Sequence, residues 1–153
     1  MAIQVQLKDF SKVLEEFSGK HLSEIKQGVV AGIQKSIPDL VKASPVDQGY
    51  YAASWAMTVD EEKATIGNYA PHAPIIEWGA RPFRPPLPPL LAWAKRVLKD
   101  PSQPPKYSDR VWALAKHTQA KIEQVGIAPR HVLENALPMI IENIREELAN
   151  GGS

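Results

Sequence analysis

Apolar residues recur at steps of three and four from near the start of the chain. Leu7, Phe10, Leu14 and Phe17 are followed by Leu22, Ile25, Val29, Ile33 and Ile37, the period of an amphipathic helix. Glu24, Lys26, Gln27 and Gln34 take the opposite face of the second run. The pattern predicts one long helix over residues 4–42 with a break near Gly19, or two helices. Pro38 is expected to kink or stop it, because proline lacks the amide that the helical bond needs.

The period then shortens. "YYAASWAMTV" and "KATIGN" are rich in aromatic and β-branched residues, and the polar "DEEK" separates them. Together they predict a β-hairpin. In "YAPHAPIIEWGA" two prolines limit regular ladders, leaving a short strand or helical turn over Ile75–Trp78. Residues 81–89 hold five prolines and predict an extended, polyproline-like arm. A helix starting near Pro89 follows, carrying Leu90, Leu91, Ala94, Val97 and Leu98. After the break "DPSQPPKY", Ser108 suits the N-cap of a helix with Val111, Leu114, Ala115, Thr118, Ile122 and Val125 on one face and Gly126 at its end. The last helix has Pro129 near its start and runs through Val132, Ala136, Ile140, Ile144 and Leu148. Pro138 is expected to kink it or to begin a separate helix.

No fixed-period repeat is present. The order of helices, small sheet and helices predicts an α+β fold: a small antiparallel sheet packed with long N-terminal and C-terminal helices, plus a Pro-rich arm and inserted helices. One domain over residues 1–153 is expected. Its parts are N-terminal helices (1–43), a corner and hairpin (44–80), the arm with its helix (81–105) and C-terminal helices (106–150).

Composition narrows the chemistry. The chain has 153 residues, 44% hydrophobic and 23% charged, with a net charge of +1. Summed over the whole chain, that charge creates no strong field toward nucleic acid or an acidic membrane. The absence of cysteine excludes disulfides, thiolate catalysis and cysteine metal sites. No apolar run approaches the roughly 20 residues of a membrane span, and "MAIQVQLKDF" lacks the form of a secretory signal.

The corner "SPVDQGYYAASW" is the densest motif. Ser44 is expected to cap a helical start, with Pro45 next and Asp47 three residues on. Gly49 supplies a positive φ for a sharp exit. The corner is therefore expected to turn the long helix into the hairpin. An enzymatic alternative, a small hydrolase using Ser54 and His72, would join Ser54, His72 and Glu77 as nucleophile, base and orienter. The flanks "AASWA" lack the glycines of a nucleophile elbow, so a strand serine and two loop residues are the expected roles. His21, His72, His117 and His131 are too scattered for a metal motif, and no glycine-rich phosphate loop occurs. No metal and no cofactor are expected. Arg81, Arg84, Lys95, Arg96 and Lys99 cluster beside the arm. They are expected to form a solvated face, with DNA-backbone contact as the alternative.

The corner resembles the Thr/Ser-Pro-Val-Asp-Thr-Gly-x-Leu-x-x-Ser signature of the minor tail-component proteins of tailed bacteriophages, also called head–tail joining, neck or tail-completion proteins. Ser44, Pro45, Val46, Asp47, Gly49 and Ser54 match. Gln48 and Tyr51 depart from it, and Ala52 stands where a basic residue is common. "IGNYAPHAPIIEWGARP" resembles a second family segment through Tyr69, Ala70, Glu77, Gly79 and Pro82, with a longer Ala70–Glu77 spacing. "GIAPRHVLENAL" resembles the closing segment. The resemblance covers about residues 40–140.

This resemblance implies a non-enzymatic virion protein. Its members form six- or twelve-fold rings in the neck, with a portal/adaptor or head-completion protein on one side and a tail-terminator or tail-tube protein on the other. Genomic DNA passes through the lumen, no membrane is involved, and the protein resides in the host cytoplasm until assembly. From its own residues the arm is expected to dock a partner through Phe83, Leu87 and Trp93, with Arg81 and Arg84 at the rim, or else to pack on its own subunit as a brace.

Overall fold

The computed structural model describes residues 3–5, 16–60 and 63–151, the first three by backbone alone. In chain order the elements are β1 (Ile3–Val5), α1 (Leu22–Ala43), α2 (Tyr50–Ala53), β2 (Trp55–Val59), β3 (Ala64–Asn68), α3 (Ala73–Trp78), α4 (Leu87–Leu98), α5 (Asp109–Val125) and α6 (Val132–Asn150). The fold is α+β, with long helices at either end of the chain around a small antiparallel sheet and inserted helices between. The chain divides into two compact units: Met1–Glu77 with Arg130–Ser153, and the insert Trp78–Pro129.

In the first unit α1 packs along α6. Gly28, Gly32 and Ser36 recur every four residues on α1 and are buried, so they form a shallow groove along one face. A Cβ at Gly32 would run into the Ile144 backbone, and one at Gly28 would lie 2.6 Å from Leu148 Cδ2. Ser36 Oγ donates back to the Gly32 carbonyl (2.8 Å) and accepts from Asn143 Nδ2 (2.9 Å), so the hydroxyl is satisfied inside the contact. Val29, Ile33, Leu40, Ile140, Ile144 and Leu148 complete the seam with almost no exposure. Burying each such side chain is worth about 1.5–3 kcal/mol.

β2 and β3 form the expected hairpin, Trp55 opposite Asn68 and Val59 opposite Ala64. Its turn closes through Asp60, whose amide donates to the Lys63 carbonyl and whose Oδ1 accepts the Lys63 amide. β1 pairs antiparallel with the other edge of β3, giving the order β1-β3-β2. The start of the helix expected over residues 4–42 is corrected, while the expected break near Gly19 holds, since residues 17–20 are turn and bend. Residues 3–5 are strand, because β3 offers them an unpaired edge, and the long helix runs over Leu22–Ala43. Leu7, Phe10 and Leu14 lie outside the described residues.

Neither helix-interior proline ends its helix, so the stop expected as one alternative at Pro38 and the separate helix expected as one alternative at Pro138 are corrected. α1 continues through Pro38 and α6 through Pro138. Pro38 and Gln34 are both exposed, so the carbonyl that Pro38 leaves without an amide lies on the solvent side, where water can serve it. The expected strand start at Tyr50 is also corrected: Tyr50–Ala53 form one helical turn and the strand begins at Trp55. Ile75–Trp78 lie in the helix α3.

The insert has its own apolar cluster of Leu91, Ala94, Val111 and Ala115 between α4 and α5. α5 therefore belongs with α4, although the chain pattern grouped it with the C-terminal helices. Ser108 caps α5 as expected, its Oγ accepting the Val111 amide at 3.4 Å, and Gly126 ends it at φ 76°. α4 begins at Leu87, earlier than Pro89, with Pro88 in its first turn. Among the described residues no helix is long and apolar enough to cross a membrane.

Candidate functional site

The motif Ser44–Trp55 is a corner of three linked caps. Ser44 ends α1 instead of starting a helix, which corrects the expected N-cap role. Its backbone is extended there (φ −73°, ψ 139°), and its Oγ donates to the Leu40 carbonyl at 2.7 Å. The same Oγ accepts the Trp55 indole N–H at 2.8 Å. One buried hydroxyl thus ties the end of the long helix to the first residue of β2. Pro45 follows, half-buried, and Asp47 is exposed. Gly49 takes φ 75° before Tyr50, the positive φ that the corner required.

Ser54 is the C-cap of α2 and not a strand residue. Its Oγ donates to the Tyr50 carbonyl at 2.7 Å. The Tyr69 amide donates to the Ser54 carbonyl at 2.9 Å, which holds the end of β3 against the corner. Asn68, fully buried, completes the link: Nδ2 donates to the Tyr51 carbonyl (2.8 Å) and Oδ1 accepts the Ala70 amide (3.0 Å). The sequence reading missed Asn68. Its only signal was an amide side chain closing an otherwise apolar strand.

Glu77 is the buried carboxylate of this region, 2% exposed. Oε2 accepts the Leu133 amide at 3.1 Å and Oε1 the Glu134 amide at 3.0 Å. These are the second and third residues of α6, whose N–H groups have no intrahelical partner. Glu77 is therefore a long-range N-cap. Two charge-assisted bonds and the positive end of the helix dipole offset the cost of burying its charge. His131, at the usual cap position, sits at φ 49° and makes no side-chain cap. Backbone bonds flank the arrangement, Arg130 N to Ile76 O (2.8 Å) and His131 N to Glu77 O (3.2 Å).

Tyr51 lies under the corner, 3% exposed, edge-on to Trp55 with ring centroids 5.7 Å apart. Burial, with the Glu77 charge adding to it, pushes its hydroxyl up to about 12. Its Oη is buried without a hydrogen-bond partner among the described residues. His72 stacks on Tyr50 at 6.0 Å and leans on Tyr51. Ser54, His72 and Glu77 thus share a neighbourhood but no hydrogen bond among the described residues. The serine proton and both Glu77 oxygens are used in capping. No cluster of three His, Asp or Glu side chains suited to a metal occurs among the described residues.

In the insert, Gly79 has φ 72° and leaves no space for a Cβ beside the Ile127 carbonyl. The arm is bound to its own unit along its length. Ala80 and Ile127 exchange backbone bonds at 2.9 Å. Arg84 faces Glu123 at 3.7 Å. The Pro85 carbonyl accepts from Gln119 Nε2 at 2.7 Å. Leu87 and Trp93, both half-buried, pack on the apolar cluster. Arg81 and Phe83 remain exposed.

Compared with protein-family models, with curated proteins and with solved structures, the chain finds no match.

Proposed function

We propose that the chain is a structural virion protein of a tailed phage or prophage, which forms a ring in the neck and joins the DNA-filled head to the tail. It acts by assembly. A portal/adaptor or head-completion protein lies on one side of the ring, a tail-terminator or tail-tube protein on the other, and genomic DNA passes through the lumen.

One observation carries the reading. The three stretches that resemble the neck family, residues 44–55, 66–82 and 126–137, are linked into one bonded frame. Ser44 holds Trp55, Ser54 accepts from Tyr69, and Glu77 caps α6 at Leu133 and Glu134. Ser44, Ser54 and Glu77 are bound into structural contacts, as suits a subunit whose task is to hold a shape.

Sedimentation across a wide concentration range, with negative-stain imaging, tests the proposal. Closed rings are expected, alone or once a portal or tail-tube protein is added. A protein that stays monomeric in every mixture would overturn it. So would ester turnover that vanishes in Ser54→Ala, which would favour the hydrolase.

A further inference from the structure

The net charge of the whole chain conceals a division. Residues 78–129 hold nine Lys and Arg against only Asp100, Asp109 and Glu123, a net charge of +6. The remaining residues hold nine Lys and Arg against fourteen Asp and Glu, a net charge of −5. We propose that the insert binds double-stranded nucleic acid through its phosphate backbone, without regard to sequence, using the outward face of α5.

The three acids of the insert are each held in place, and of them Asp100 lies close enough to Arg110 to feel its charge. Asp100 accepts the Ser102 amide (2.9 Å) and the Ser108 hydroxyl (2.7 Å). Asp109 lies in the first turn of α5, where the helix dipole favours it. Glu123 faces Arg84. On α5, Arg110 and Lys121 are eleven residues apart and so project within about 20° of each other around the helix. His117 lies between them on the same line, and all three are exposed. The line spans about 16 Å, roughly the axial length of five phosphates on one strand. Ala113 and Ala120 beside it are exposed and small, so a wide cylinder can approach closely. Lys116 lies on the neighbouring face, its ammonium 5.5 Å from the Trp112 ring.

The other polyanion to hand is the acidic unit of a second copy. The observations favour nucleic acid over it, because many acids of that unit are already paired within it. Glu146 and Glu147 face Lys35, Glu16 and Glu142 face Arg145, and Glu77 is spent on α6. The surface also differs from the one expected beside the arm, where Arg84 faces Glu123 and Lys95 donates to Gln103; the proposed face lies on α5.

Fluorescence anisotropy of the full chain on a labelled duplex of arbitrary sequence, from about 50 to about 200 mM salt, tests this. Binding is expected to weaken steeply with salt and to ignore sequence. Arg110→Gln/Lys116→Gln/Lys121→Gln should bind at least about tenfold more weakly at low salt, and its salt slope should fall by roughly two to three. Lys42→Gln/Lys63→Gln, in the other unit, should match wild type, and unchanged melting shows that both variants fold. A wild-type protein that ignores duplex at low salt overturns the proposal, as does a triple variant that binds like wild type. Salt-dependent self-association that the triple variant abolishes, with no duplex binding, would assign the face to a second copy instead. Any of these results leaves the neck reading to its own test.

Discussion

Helices α5 and α6 begin in opposite ways. α5 carries its cap with it: Ser108 stands one residue before the helix and reaches the Val111 amide. α6 has His131 in that place, with a left-handed backbone and no side-chain cap. Its first amides are served by Glu77, 56 and 57 residues away in the chain. A local cap stabilises one turn and little else. A distant cap makes the start of a helix depend on the tertiary fold, and the fold depend on it in return. The first arrangement suits an insert that builds its own small core. The second suits a frame in which α6 must be held at one angle against the corner and α1.

The largest expected effect breaks the distant cap. Glu77→Ala leaves two amides at the start of α6 without an acceptor and should cost about 3 kcal/mol in denaturant unfolding. Glu77→Gln keeps one acceptor and should lose roughly half as much. A loss below about 1 kcal/mol for the alanine variant would mean that α6 starts as well without its distant partner.

Next comes Gly49, which starts α2 by a third route, with φ 75° and open space around the Cβ position. Gly49→Val meets no clash, so its cost is conformational, about 2 kcal/mol. Thermal melts check this, and an unchanged midpoint would show that the corner can turn without a left-handed residue.

Ser108→Ala should cost only about 1 kcal/mol. Amide exchange should speed up in the first turn of α5 and stay unchanged in α6. Loosening that spreads to the amides of Leu133 and Glu134 would erase the distinction between local and distant caps.

The last effect vanishes at neutral pH and appears only in alkali. Burial, with the Glu77 charge adding to it, holds Tyr51 neutral and raises its hydroxyl from 10.0 to about 12. A group whose folded value is raised contributes stability that is complete below its unfolded value and is lost as pH rises through the folded one. Wild type should therefore lose more stability between pH 10 and 12 than Tyr51→Phe does, while the two differ little at neutral pH. Parallel alkaline slopes would show that Tyr51 ionises as easily in the folded chain as in the unfolded one.

What the chain determined by itself is whatever depends on neighbours a few residues apart. The apolar period of α1 and α6, the Ser108 cap, the Gly126 stop, the hairpin and the positive φ of Gly49 all follow from local sterics and short-range bonding, and all were legible. The tertiary structure decided the rest, because the deciding groups lie far away along the chain. Ser44 could cap a following helix or end a preceding one, and the Trp55 indole selects the second. Pro38 and Pro138 could stop a helix, yet the long α1–α6 seam outweighs one lost backbone bond in each. Residues 3–5 could extend a helix, and the free edge of β3 makes them strand. Glu77 reads as a loop acid until α6 brings two unserved amides to it. Charge behaves the same way: a sum over the chain says +1, and only the division into two units separates +6 from −5, because a field follows where charges gather and not how they total.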